Sequence, residues 1–221
     1  MPLTASREAR FDGSFEGFRE EARALLTKGV PPEHIVWVAE DDPQETIPGL
    51  LAPVSHPPPP PAGAAGTPNI PRALLGLLER AACHRDPGRF ALLYRVLWRV
   101  VREDHALLAR EDDEDVAQLH TLERAVMREV AHLDRHLAFH VEARARGEHL
   151  VAHARPHHHV LHLLAPRLAE RFRGQTWSVL TPTESAHGDG HGVHYGPGVP
   201  DDLLDGAADV FEDAVGGFDD E

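Results

Sequence analysis

The stretch RPHHHVLHLLAPRLAERFRGQTWSVLTPTESAHGDGHGVHYGPG, Arg155–Gly198, decides the fold class. Val160–Arg173 spaces its apolar residues as one face of a helix. Thr176–Leu180 is a short β-branched and aromatic run, and Gly192–Tyr195 a second short extended run. Leu150–Ala154, just upstream, reads as another strand. These strands are too few and too unevenly spaced for a repeating α/β alternation. The expectation is an α+β fold: a mainly helical domain with a small, mostly antiparallel sheet.

Upstream, Ser14 is a good N-cap for a helix over Ser14–Lys28 with Phe15, Phe18, Ala22, Leu25 and Leu26 on one face; Gly29 and Pro31-Pro32 stop it. His34–Ala39 reads as a strand, and Arg72–Ala82 as a helix. Asp86-Pro87 opens the next helix, striped by Phe90, Leu93, Tyr94, Leu97 and Val101. Asp115–Arg146 carries Leu119, Leu122, Val126, Val130, Leu133, Leu137 and Val141 at helical spacing and reads as the longest helix, ended by Gly147. Pro57–Pro61 marks a polyproline spacer. The organisation expected is an N-terminal helix–strand unit over 1–52, a linker over 53–69, a main domain over 70–200 and an acidic tail over 201–221.

Charge is unevenly distributed. Asp201–Glu221 holds nine acids and no base, and Glu111–Asp115 is an unbroken acidic run; together they account for the whole formal charge of −14. A local excess of this kind leaves room for a surface that meets nucleic acid. Of 22 basic residues only Lys28 is not arginine. Arg89, Arg95, Arg99 and Arg102 fall on one edge of a helix and form, with Arg171, the candidate phosphate contacts. No apolar run approaches the ~18–20 residues that cross a bilayer, and the first residues lack the apolar core of a signal peptide. A cytoplasmic protein without a membrane partner is expected. Cys83 stands alone, so neither a disulfide nor a cysteine-rich metal site arises.

Thirteen of the 17 histidines lie between Val116 and Pro200. His132, His136 and His140 are spaced i, i+4, i+8, which suits either a metal-binding edge or a wetted helix flank. His157–His159 with His162 form a second cluster at a strand-to-helix junction. Ser185, His187 and Asp189 alternate, so extended backbone puts them on one face. A Ser-His-Asp triad is not expected, because side chains at i, i+2 and i+4 do not readily bond in sequence. Gly188–Gly192 precedes a strand, which excludes a dinucleotide fingerprint. The candidate functional site is therefore His158, His159, Ser185, His187 and Asp189. Within it His158, His159, His187 and Asp189 are candidate ligands of a divalent metal, and the two loops are expected to meet within about 8 Å.

RDPGRFALLYRVLWRVV, LVAHARPHHHVLHLLAPRLAERF and TWSVLTPTESAHGDGHGVHYGPG together resemble the "probable DNA metabolism protein" family. That domain occurs fused ahead of UdgX-type uracil-DNA glycosylases or is encoded beside a putative DNA-repair radical-SAM protein. FDGSFEGF and LLTKGVPPEHIVW fit as well, so the resemblance spans about Phe11–Gly198. It implies that Arg89, Tyr94, Trp98, Arg99, His158, His159, Arg171, Phe172, Trp177, Thr181, Pro182, Ser185, His187 and Asp189 occupy the family's signature positions. The chain departs from the family at His132-Leu133-Asp134-Arg135, where the acid and imidazole are exchanged, and at His153, Arg155 and Gly188. A protein without the glycosylase domain is expected. Three readings stay open: a DNA-repair accessory protein meeting nucleic acid or a repair-enzyme partner; a metal-dependent enzyme or metal-binding protein; and a degenerate, non-catalytic interaction protein. The last would use the acidic tail, which sets Leu203, Leu204, Val210, Phe211, Val215 and Phe218 among acids, as a partner segment.

Overall fold

The computed structural model describes residues 7–40, 70–110, 112–144, 147–202 and 204. The polyproline spacer, Glu111 and nearly all of the acidic tail lie outside them. The fold is α+β, and the described chain forms two compact units, 1–82 with 86–123 and 83–85 with 124–221.

In the first unit β1 (Arg7–Phe11) and β2 (Ile35–Ala39) pair in parallel, Arg7 opposite Ile35 and Phe11 opposite Ala39. Parallel neighbours need a crossover, and α1 (Phe15–Lys28) supplies it. The Ser14 hydroxyl accepts the Gly17 N–H at 2.9 Å, and Gly29, in the left-handed region at φ 67°, closes the last turn on the Leu25 and Leu26 carbonyls. α2 (Arg72–Ala82), α3 (Arg89–Arg102) and the first half of α4 (Glu114–His136) complete the unit. Phe11, Phe18 and Phe90 meet with ring centroids 4.7–6.3 Å apart. The Tyr94 hydroxyl donates to the Val30 carbonyl at 2.7 Å. The N-terminal helix–strand segment thus shares its core with α2, α3 and α4. A β1–α1–β2 segment of this size buries too little apolar surface alone and borrows the remainder.

In the second unit β3 (His140–Arg144), β4 (Gly147–His153), β5 (Thr176–Leu180), β6 (Glu184–Gly188) and β7 (Val193–Pro197) form one sheet in chain order. Three of the four pairings are antiparallel. β4 and β5 are parallel, with α5 (Leu161–Arg171) crossing between them. One face of the sheet is apolar: Ala152, Trp177, Val179 and Ala186 pack with Leu161, Leu164, Ala165 and Leu168 of α5. Because side chains alternate across a strand, Ser178, Ser185 and His187 point to the other face.

The sheet is larger than expected. β6 was expected to be loop, and β3 falls inside the helix expected to run to Arg146. That helix stops at His136, and the chain turns at Gly147 (φ 119°) into a β3–β4 hairpin. Val141, expected on the buried stripe, is 57% exposed on β3. The His132–His136–His140 ladder is broken for the same reason: the first two rings lie 4.8 Å apart, while His140 sits on β3 with its ring 5.5 Å from His153.

Candidate functional site

The sheet face turned away from α5 carries a row of hydroxyls and imidazoles joined by hydrogen bonds. Ser178 stands directly opposite His187, and His149 opposite Thr176, so strand register places the four together. His149 Nδ1 lies 2.9 Å from Thr176 Oγ1, and its Nε2 lies 2.7 Å from Ser178 Oγ. Ser178 Oγ is also 2.7 Å from His187 Nδ1, and His187 Nε2 is 3.0 Å from Ser185 Oγ. His149, Ser178 and Ser185 are buried, His187 is half-buried and Thr176 is exposed. Gly196 faces Ser185, and a Cβ there would stand 2.9 Å from the hydroxyl, so glycine leaves the row its space.

One end of the row sets its direction. The Thr176 hydroxyl donates to the Glu148 carbonyl at 3.2 Å, a group that only accepts. With its proton so placed, Thr176 Oγ1 accepts from His149 Nδ1–H, which leaves His149 Nε2 to accept the Ser178 proton. Ser178 Oγ then accepts from His187 Nδ1–H, and His187 Nε2 is the acceptor facing the Ser185 hydroxyl. A neutral imidazole pointed at a serine is the general-base arrangement of acyl-transfer sites, with Ser178 holding the ring where those sites use a carboxylate. Both histidines are therefore expected in the Nδ1–H tautomer, read from long-range ¹⁵N couplings and shifts of the imidazoles. Nε2–H forms at either ring would reverse the direction of the row.

The sequence candidates divide. Ser185 and His187 bond after all, although they are only two residues apart. Asp189 is not their third member: its Oδ1 accepts the His191 and Gly192 N–H groups and its Oδ2 lies 3.2 Å from His194 Nε2. These partners hold its carboxyl below the ordinary range, the His191 amide foremost. His158 and His159 belong to a different anchorage. The His157 and His158 N–H groups donate to Glu129 at 2.5 and 2.9 Å, His158 Nδ1 accepts the Arg85 N–H at 3.3 Å, and His159 N–H donates to the Cys83 carbonyl. The His158 ring lies 4.3 Å from that of His84, and burial, with His84 beside it, pushes its pKa down to about 4.

Topology parts one pair of the expected meeting, His158 and Asp189. β4 and β5 run parallel, so the chain leaves β4 toward His157–His159 at the sheet edge where β5 ends at Leu180 and β6 begins. β6 then crosses the sheet and releases Asp189 at the opposite edge. No group of three or more His, Cys, Asp or Glu side chains is gathered for a metal among the described residues.

A second polar group escaped the sequence reading. On the α5 side, Glu184 Oε2 lies 3.7 Å from His162 Nε2, and the His162 ring is 4.4 Å from that of Tyr195. Burial pushes the Glu184 carboxyl up, opposed by His162 and the Leu161 N–H. The alternation of Glu184 with Ser185 was the available signal, but the pairing depends on α5 lying over the strand.

The five candidate phosphate contacts are all engaged. Arg89 is buried, donating to the Ala82 and Asp86 carbonyls over the Phe90 ring. Arg95 bonds Asp115 at 2.9 Å, and Arg99 holds Asp113 and Asp115 through three bonds of 2.6–3.0 Å. Arg102 donates to the Leu26 carbonyl, and Arg171 to Asp134. The acidic run that opens α4 thus pairs Arg95 and Arg99 of the α3 stripe; the sequence reading had treated them as separate features. Phosphate would have to displace carboxylates already in bidentate contact.

Fold and site define an α+β protein with a hydroxyl–imidazole row on the face of a five-stranded sheet turned away from α5. The chain belongs to the family described as domain of unknown function DUF4130, whose model matches residues 87–209. No curated protein and no solved structure matches the chain. Among the described residues no helix is long and apolar enough to cross a membrane.

Proposed function

We propose that the protein is a DNA-metabolism accessory protein that contacts nucleic acid or a repair-enzyme partner. The observation that carries this reading is the span of the family match. Residues 87–209 take in nearly all of the three stretches on which the resemblance to the DNA-metabolism family rests. The test is binding of the full chain to single-stranded, duplex and uracil-containing oligonucleotides across a salt series. Binding that weakens linearly in log–log form as salt rises is expected, because phosphate contacts release counterions. Absence of binding to all three at low salt removes direct nucleic-acid contact and leaves only a protein partner.

A second reading, hydroxyl–imidazole catalysis, is favoured by the direction of the row, which aims an acceptor at Ser185. Its weakness is the burial of that hydroxyl. Covalent labelling of the full chain by a fluorophosphonate, lost in Ser185→Ala, would support it; no labelling would end it. The metal reading through His158, His159, His187 and Asp189 has less support, since β6 carries Asp189 away from His158. Tightly held metal lost in both His158→Ala and Asp189→Ala would restore it.

A further inference from the structure

The second half of α4 presents a face that no function above uses. Arg124, Arg128, His132, Arg135 and His136 are all exposed. Their steps of four, four, three and one keep them on one arc of the helix, opposite Val126 and Val130, which are fully buried. From Arg124 to His136 the arc runs about 18 Å.

The acids of this part of the helix are turned aside and already occupied. Glu123 bonds Arg80 at 2.9 Å, Glu129 receives the amides of His157 and His158, and Asp134 holds Arg171 and Arg167. Arg128 and Arg135 make no ion pair among the described residues, in contrast to Arg95 and Arg99 of the α3 stripe. Arg128 and Arg135 are therefore basic groups that no described carboxylate pairs, on a chain of net charge −14.

We propose that this arc is the surface that receives the phosphate backbone of nucleic acid. Arg128 and Arg135 supply the charge, and His132 and His136, with rings 4.8 Å apart, supply donors between them. The inference rests on the nucleic-acid reading above and assigns it a place. A nucleic acid fits better than an acidic protein segment because the groups are spaced regularly along a rigid line with no apolar anchor among them. Protein interfaces centre on such anchors.

The test uses the full chain and a fluorescein-labelled single-stranded oligonucleotide, with polyglutamate as competitor. Arg128→Glu/Arg135→Glu is expected to weaken binding by about tenfold or more and to flatten the salt slope by about 1.4, two phosphates at ~0.7 each. The control, Arg23→Glu/Arg72→Glu, changes net charge equally at two exposed arginines of the other unit and is expected to leave affinity within about twofold. Thermal melts of both variants should stay close to the parent, since exposed sites outside ion-pair networks matter little. Equal loss in both variants, or none in the first, overturns the assignment to α4 while leaving nucleic-acid binding intact. Polyglutamate competing as well as DNA of equal charge overturns the choice of nucleic acid. Absence of any DNA binding defeats both this inference and the direct-contact reading.

Discussion

Trp177→Ala is expected to lower stability by about 3–5 kcal/mol, the range for truncating a large buried aromatic. The indole is 1% exposed and packs with Leu161, Leu164, Leu168 and Ala186 between the sheet and α5. It also occupies the space over Gly188, where a Cβ would stand 2.2 Å from its Nε1. Gly188→Ala is therefore expected to cost about 1–3 kcal/mol by overpacking. If the clash is the cause, Gly188→Ala should cost less in a Trp177→Phe background, a coupling that a double-mutant cycle isolates. Urea unfolding followed by far-UV circular dichroism measures all of these. A loss below about 1 kcal/mol for Trp177→Ala would mean that the layer can collapse around the missing ring.

The second large effect is expected at Asp113. Its carboxylate begins α4, with Oδ1 accepting the Asp115 and Val116 N–H groups at 3.1 and 3.2 Å, and it receives two guanidinium bonds from Arg99. Losing an N-cap costs about 1 kcal/mol, and the charge-assisted pair adds about as much again after allowance for its partial exposure. Asp113→Ala should thus destabilise by about 2–3 kcal/mol. Asp113→Asn, which keeps a capping oxygen, should lose only the charged part. The pH dependence has a definite sign. Arg99 holds the Asp113 carboxyl below its ordinary value. The stabilisation is therefore complete above the unfolded value of about 3.9 and disappears as pH falls through the lower folded value. The gap between parent and Asp113→Ala should be constant from neutral pH to about 5 and narrow below about 4 to the part that a neutral capping oxygen retains. A gap that widens in acid would place the carboxylate's stabilising contact elsewhere.

Where local rules dominate, the sequence was readable. Ser14 and Gly29 bound α1 through contacts within a turn of the chain, and the strand Thr176–Leu180 was placed with its observed limits. The failure at α4 is instructive. Leu133, Leu137 and Val141 continue a helical spacing, yet the helix ends at His136 because His140–Arg144 gains a full ladder with β4. A hairpin that adds an edge strand to a sheet is stabilised by partners the periodicity does not register.

By itself the sequence determined the fold class, the caps that bound α1, and the alternation that puts Ser185 and His187 on one face, since each follows from backbone geometry over a few residues. Tertiary structure decided which partners those groups meet. Strand register brought Ser178 and His149 to His187 from positions 9 and 38 residues earlier. The direction in which β6 crosses the sheet parted Asp189 from His158. The folding of Asp113 and Asp115 onto Arg95 and Arg99 cancelled one basic stripe, while nothing comparable covers Arg128 and Arg135 among the described residues. Charges and hydrogen-bonding groups act over a few ångströms of space, and composition along the chain does not specify which of them the fold brings that close.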